Sequence, residues 1–352
     1  MVTFFESPYR MKLATIRLAQ NAILVILSLL LSIILVEFFV RAFFPIFDPS
    51  GQVKIIQRAD GTPIGPRGAT LRQTKNTGDY DVEIRFNNLG FRDDKPLTAA
   101  TKDDLFVVGD SFAFGWGVNA EDRFSNRIES ALNRPVFNIA SPGTDFDGYY
   151  RLIRYAESNG ALVRKLIISV TMENDLHLYS DFLPEDSNSF SETTDPPSLN
   201  LSALKAYLNQ HSALYAMFAY AAHRTTALRS VAVQLGLITP NLEGINDENI
   251  SREELISSLL RLRQIVAGRD VVVLVIPSRR LWVGESSRRA NAGRVHATFV
   301  DGLRAYGMTV VDIRNQMEVG GNPLSYHFAN DGHWNAAGHR LAAEALTEVL
   351  KR

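Results

Sequence analysis

From Ala22 to Val36 no side chain carries a charge, and after Glu37 the apolar run resumes through Phe38, Phe39 and Val40. A soluble domain would have to bury such a run, whereas a bilayer accepts it as a helix. About 20 helical residues cross a hydrocarbon layer of about 30 Å. Glu37 is tolerated there at an interface or in its protonated form. Arg10, Lys12 and Arg17 precede the run and only Arg41 follows closely, a bias that favours a cytoplasmic N-terminus. The exit, EFFVRAFFPIF, is bulky and lacks the small-residue cleavage site of a secretory signal peptide. A retained signal anchor is therefore expected, with a buried or interfacial amphipathic helix as the plain alternative. The resulting layout is a cytoplasmic tail over 1–17 and an anchor over 18–46. It predicts a single-pass protein of the inner or cell membrane, with its main domain on the periplasmic or extracellular side.

Past the anchor, residues 47–102 are turn-rich, with an alternating strand pattern at Asp81–Phe86. They read as a lead-in or small flap tied to the catalytic body, with no chemistry of its own. From 103 onward, short apolar runs alternate with amphipathic stretches. LFVVG, VFNIA, LVRKLIISVT, RDVVVLVIP and MTVVDI are strand candidates. Between and after them come EDRFSNRIESALN, FDGYYRLIRYAESNG, a helical stretch at 286–305 and NAAGHRLAAEALTEVL. Fully apolar strands separated by helices argue for an α/β fold whose parallel sheet is covered on both faces. The interval 179–250 interrupts this rhythm with a polar stretch, YSDFLPEDSNSFSETTDPPSLN, and a helical one beginning at Leu201. It reads as an insertion in a domain spanning 103–352.

Composition removes several classes of function. The chain has no cysteine, which excludes thiol catalysis, disulfides and cysteine-ligated metals. Its 37 basic and 38 acidic side chains nearly cancel and form no basic stripe, so nucleic acid is not an expected partner. His177, His211, His223 and His296 are scattered and make no metal signature.

The stretch VVGDSFAFGWGV places Ser111 just after an apolar strand candidate, where open parallel sheets collect reacting groups. Serine is also a common cap, and Ala113 stands where the second glycine of a G-x-S-x-G elbow would be. Gly115 and Gly117 suggest close approach of a bound group. Trp116 reads as packing or pocket wall. Far along the chain, FANDGHWNAAGH supplies a carboxylate and an imidazole, Asp331 and His333. Two residues apart, they would not face each other on a helix. A loop would let Asp331 fold back onto one ring nitrogen and leave the other for Ser111. Asn335 fits a helix cap, and the flanking His327 and His339 read as backbone-bound or solvent-facing, with the substrate entrance as the alternative for His327.

On these residues the chain resembles the SGNH hydrolase superfamily, also called GDSL esterases or lipases. Gly109-Asp110-Ser111 resembles its first motif, Asn138 to Gly143 its second block, Glu173-Asn174-Asp175 its third, and Asp331 with His333 its last. The resemblance implies a three-layer α/β/α, flavodoxin-like fold behind the transmembrane helix. It implies Ser111 as nucleophile, His333 as base and Asp331 as its acid. The oxyanion hole would comprise the Ser111 N–H, the Gly143 N–H and the Asn174 side chain, with Asp175 in a structural hydrogen bond. No metal or organic cofactor is required. Two departures stand out. Glu173 replaces a glycine before Asn174, and a single residue separates Asp331 from His333. That short ending, followed by Trp334, resembles membrane-associated polysaccharide O-acetyltransferases of the alginate-modifying type. The expected activity is that of a membrane-anchored serine esterase acting on ester or O-acetyl groups of an envelope substrate, a glycan among the candidates. O-acyl transfer to an extracellular polysaccharide is the first alternative, and a catalytically silent envelope binding or assembly module the second. The bilayer is the other expected partner.

Overall fold

The computed structural model describes residues 8–49, 52–75, 77–180, 182–184, 211–224 and 250–352, with a few isolated positions between 204 and 234. Most of the 179–250 interval lies outside the described residues, including nearly all of its polar stretch. The chain divides into two compact units: 1–51 with 195–228, and 52–194 with 229–352.

In the first unit, helix α1 runs over Pro8–Phe43. Its Ala19–Phe43 portion, 25 residues, is long and apolar enough to cross a membrane. Glu37 is satisfied in a way the sequence did not suggest. Its carboxylate accepts from the Arg41 guanidinium at 2.8 Å, from Ser212 Oγ at 2.9 Å, and from the Ala213 and Leu214 N–H groups at 2.8 and 3.0 Å. The last two open the short apolar helix Ala213–Arg224, so an acid of α1 caps that helix.

The second unit begins with two small antiparallel pairs, β1 (Ile56–Gln57) with β2 (Pro63–Ile64) and β3 (Thr70–Thr74) with β4 (Asp81–Arg85). The main sheet follows, built from β5 (Leu105–Val108), β6 (Val136–Asn138), β7 (Lys165–Thr171), β8 (Asp270–Ile276) and β9 (Thr309–Asp312). All neighbours are parallel, in the order β6-β5-β7-β8-β9. This is the α/β/α arrangement that the strand–helix rhythm implied.

Alternation along each strand builds two cores. Phe106, Val108, Ile168, Val170, Val273 and Val275 meet helices α4 (Phe146–Ser158), α6 (Arg252–Ile265) and α7 (Ser286–Ala305) on one face, where α5 denotes Ala213–Arg224. Leu105, Val107, Ile167, Leu274 and Ile276 meet α3 (Phe124–Leu132) and α9 (Ala336–Leu350) on the other; α2 (Ser111–Phe114) and α8 (Arg314–Val319) are short. From β5 the chain goes first to β6 on one side and then to β7 on the other. The carboxyl end of β5 is therefore the switch point, where an open sheet leaves a crevice. Ser111 lies there.

Candidate active site

Strand β5 ends at Val108, and Asp110 caps the short helix α2 by accepting the Phe112 N–H at 2.9 Å. The turn leaves Ser111 at the wall of a cleft of about 1010 Å³ that Gly143 and Asn174 also line. Its Oγ lies 2.7 Å from His333 Nε2. His333 Nδ1 lies 2.5 Å from Asp331 Oδ1, which also accepts the His333 backbone N–H at 3.0 Å. With Asp331 ionised, Nδ1 carries the proton and Nε2 is left to accept from Ser111. Burial alone would raise the Asp331 carboxyl. The bond and charge of His333, and then Lys75, hold it well below the ordinary carboxylate value.

Local structure explains how two residues only two apart can pair. The segment 328–333 is a closed loop, pinned at its base by the Phe328 N–H on the His333 carbonyl at 3.0 Å and by a bridge between His327 and Trp334. Asn335 caps α9 through the Ala337 and Gly338 N–H groups. Trp334, fully buried, packs edge-on to Phe112 with ring centroids 5.2 Å apart. The tryptophan after His333 is thus a core anchor that fixes the loop against the helix bearing Ser111.

The oxyanion candidates come from the ends of β6 and β7. Gly143 is exposed at a φ of +69°, a conformation that side chains rarely adopt. Asn174 donates one amide hydrogen to Asp110 Oδ2 at 3.0 Å. An amide carries two, so one remains for a ligand. Asp110 thus serves both the turn at Ser111 and the orientation of Asn174; burial pushes its carboxyl up, against the bonds from Asn174 and Phe112. The loops carrying Gly143 and Asn174 are tied together by His177 Nε2 on Asp145 Oδ2 at 2.9 Å. Asp175 is fully buried and takes the Tyr149 hydroxyl and the Thr171 N–H.

Glu173, the first departure from the expected pattern, is tied to the loop that holds the second. Glu173 binds Arg279 through the backbone N–H at 2.6 Å, Nε at 3.1 Å and Nη2 at 2.8 Å. The Arg279 guanidinium lies against Gly332, where a Cβ would stand 2.4 Å from Nη1. The acid before Asn174 therefore holds the arginine that forms the floor of the Asp-Gly-His loop. A side chain at position 332 would have to displace that guanidinium.

Several readings need correction. The space above Gly117 is filled by Tyr80 and Phe328, not left for a bound group. His327 and His339 are both buried, at 6% and 1% exposure, and neither lines the cleft. The lead-in segment is tied to the catalytic body at particular residues, and two of them reach the candidate site. Buried Arg92 donates to the carbonyls of Phe114, Gly115 and Val118, and Asp93 accepts the Asn138 N–H at 2.7 Å. Lys75 and Tyr80 reach Asp331 itself, at 2.9 and 3.1 Å. The alternating pattern at 81–86 signals a strand, but nothing local in the sequence ties it to residue 331.

Residues 248–352 match the family model of the SGNH hydrolase-like domain of the acetyltransferase AlgX. This part of the chain is SGNH hydrolase-like. Asp331 and His333 fall within it, and the motifs from Gly109 to His333 resemble those of the SGNH superfamily in their order. No curated protein matches the sequence. Similar solved structures include a lipolytic protein of the G-D-S-L family from Veillonella parvula, at 12% identity over 71% of this chain and 98% of that one, TM-score 0.40. A lipase/acylhydrolase from Enterococcus faecalis is 12% identical over 70% and 95%, also at TM-score 0.40. A carbohydrate esterase family 2 enzyme from Corynascus thermopiles is 12% identical over 73% and 68%, at TM-score 0.40.

Proposed function

We propose that this protein is a membrane-anchored serine enzyme that moves acetyl groups through an acyl-Ser111 intermediate. The observation that carries the proposal is the 2.7 Å approach of Ser111 Oγ to His333 Nε2 at the wall of the cleft. Ser111 attacks the ester carbonyl as His333 takes its proton, and Asp331 stabilises the imidazolium that forms. The Ser111 and Gly143 N–H groups and the remaining Asn174 amide hydrogen receive the oxyanion. His333 returns the proton to the leaving alcohol, then removes one from the acceptor hydroxyl that attacks the acyl-serine.

A glycan is the acceptor favoured by the family match and by the cleft, whose walls include Asp145, Asp147, Arg151, His177 and Arg280. Such walls suit a hydroxyl-rich ligand better than a long acyl chain. Hydrolysis, towards which the sequence leans, is the second reading. Gly143 and Asn174 are exposed, so water reaches the same intermediate. The apolar Ala19–Phe43 segment and the basic residues before it support a retained anchor, with residues 47–352 outside the cytoplasm.

Purified full-length protein in detergent is given an acetyl-labelled ester and a panel of envelope glycans. Labelled glycan in excess of free acetate, absent with Ser111→Ala, is expected. Free acetate alone would assign hydrolysis. Equal turnover by a folded Ser111→Ala variant, or none by the wild type, would remove Ser111 as nucleophile.

A further inference from the structure

The β3–β4 hairpin, outside the main sheet, is built as a latch on the acid of the proposed triad. Its turn is closed by the Lys75 N–H on the Tyr80 carbonyl at 3.1 Å, which sets the two side chains beside each other. Both reach the same oxygen. Lys75 Nζ lies 2.9 Å and Tyr80 Oη 3.1 Å from Asp331 Oδ2. Asp331 Oδ1 is left to the ring and backbone of His333. Tyr80 is itself held, since its hydroxyl accepts from Trp116 Nε1 at 2.8 Å and its ring meets Phe328 with centroids 5.0 Å apart. Asp79, also in the turn, accepts the Asn330 N–H at 3.2 Å. The hairpin thus grips the loop at two successive residues.

We propose that Lys75 and Tyr80 are positioning residues: they fix the Asp331 carboxylate so that one oxygen stays on His333 throughout the acyl-transfer cycle. The inference rests on the function proposed for Ser111 and His333. A carboxylate can rotate between its two oxygens unless both are occupied, and here two donors occupy one of them. Tyr80 supplies direction. Lys75 supplies direction and a positive charge that offsets part of the field Asp331 exerts on the imidazole. Other charged or titratable groups around this loop are Asp110 behind Ser111, the Glu173–Arg279 pair under Gly332, Asp79 on Asn330, and the buried His327 and His339. Among the described residues only Lys75 brings a cation into contact with Asp331 apart from His333 itself.

The test uses full-length protein in detergent with p-nitrophenyl acetate as substrate and the low-field proton NMR signal of His333 Nδ1–H as an activity-independent probe. His333→Gln assigns that signal. For Lys75→Met, kcat should fall about tenfold, a fraction of the 10²–10⁴ that a positioned base contributes, while KM stays within about twofold, since Lys75 does not line the cleft. The acid limb of the rate profile should move to higher pH, and the Nδ1–H signal should shift or broaden. Lys75→Arg should recover most of the rate and the signal, and Tyr80→Phe should lower kcat without moving the acid limb. An unchanged signal in Lys75→Met, or equal impairment of the Met and Arg variants, would overturn the proposal. If Lys75→Met fails to fold, the Arg and Tyr80→Phe variants carry the same comparison. A wild type without turnover whose signal still responds to Lys75→Met would defeat the proposed function and leave the latch standing.

Discussion

Asn174 is the residue on which the oxyanion assignment can be tested most cleanly, because Asp110 takes only one of its two amide hydrogens. That hydrogen is held at 3.0 Å, which fixes the plane of the amide, and Asn174 lines the cleft, so the second hydrogen is left for a ligand. Preorganised donors of this kind stabilise charge that develops only in the transition state, so their removal lowers kcat more than it raises KM. Asn174→Ala should therefore lower kcat about 10²-fold, the usual cost of one oxyanion donor. Binding of an unreactive substrate analogue should change little. Steady-state kinetics beside calorimetric titration of the analogue checks this. A loss confined to KM would assign Asn174 to substrate binding instead. The residue itself was singled out in the sequence by the resemblance of Glu173-Asn174-Asp175 to the family's third block. The role of its neighbour was not: Glu173 looked like a defect in the motif, and its function is visible only once Arg279 is seen beneath Gly332.

Strands and helices were legible wherever one period dominated. The five sheet strands and α3, α4, α7 and α9 fall where apolar runs and amphipathic stretches predicted them, since burial on both faces forces continuous apolar strands. The β3–β4 hairpin was half legible. Asp81–Phe86 alternates, but Thr70–Thr74 is polar and earns its strand by pairing with β4. What the hairpin does was not legible at all, because Lys75 and Asp331 stand 256 positions apart and no local pattern links them. The same holds for α1 and α5, where Glu37 caps a helix 176 positions later. Glu37→Leu removes the acceptor of two helix N–H groups, each worth about 1–3 kcal/mol if left buried without a partner. Hydrogen exchange at the Ala213 and Leu214 amides should accelerate at least about fivefold in that variant, the rate change that the lower figure implies. Glu37→Gln, which keeps an acceptor oxygen, should lie between. Exchange unchanged in Glu37→Leu would mean that another group caps α5.

At the scale of the molecule, the second unit carries two histidines that its fold keeps neutral. Burial, then the charge of Arg279, lowers His327 to about 4. Burial, followed by Arg92 and Arg123, lowers His339 to about 3. Both start from an ordinary value of 6.5. Above that value neither folded nor unfolded chain binds the proton, and the fold is at its full stability with respect to these groups. As pH falls below 6.5 the unfolded chain takes up protons that the folded one refuses, so stability is lost down to the folded values. The slope approaches about 1.4 kcal/mol per pH unit for each histidine. Asp175 works in the opposite direction. Burial, reinforced by the Asp110 charge, pushes it well up, so the folded chain binds its proton first and gains stability as pH falls. A wild-type curve alone therefore mixes the two signs, and a difference between variants separates them. His339→Gln deletes one titration and leaves Asp175 and His327 in place. The free energy of unfolding, followed through the fluorescence of tryptophans that include Trp334, whose ring meets His339 edge-on at 5.9 Å, should decline less steeply for this variant between pH 6 and pH 4.5. The expected difference is about 1 kcal/mol per pH unit, whatever the offset at pH 7. Parallel curves over that interval would mean that His339 titrates in the fold as it does in the open chain, and that the packing between α3 and α9 admits a charge.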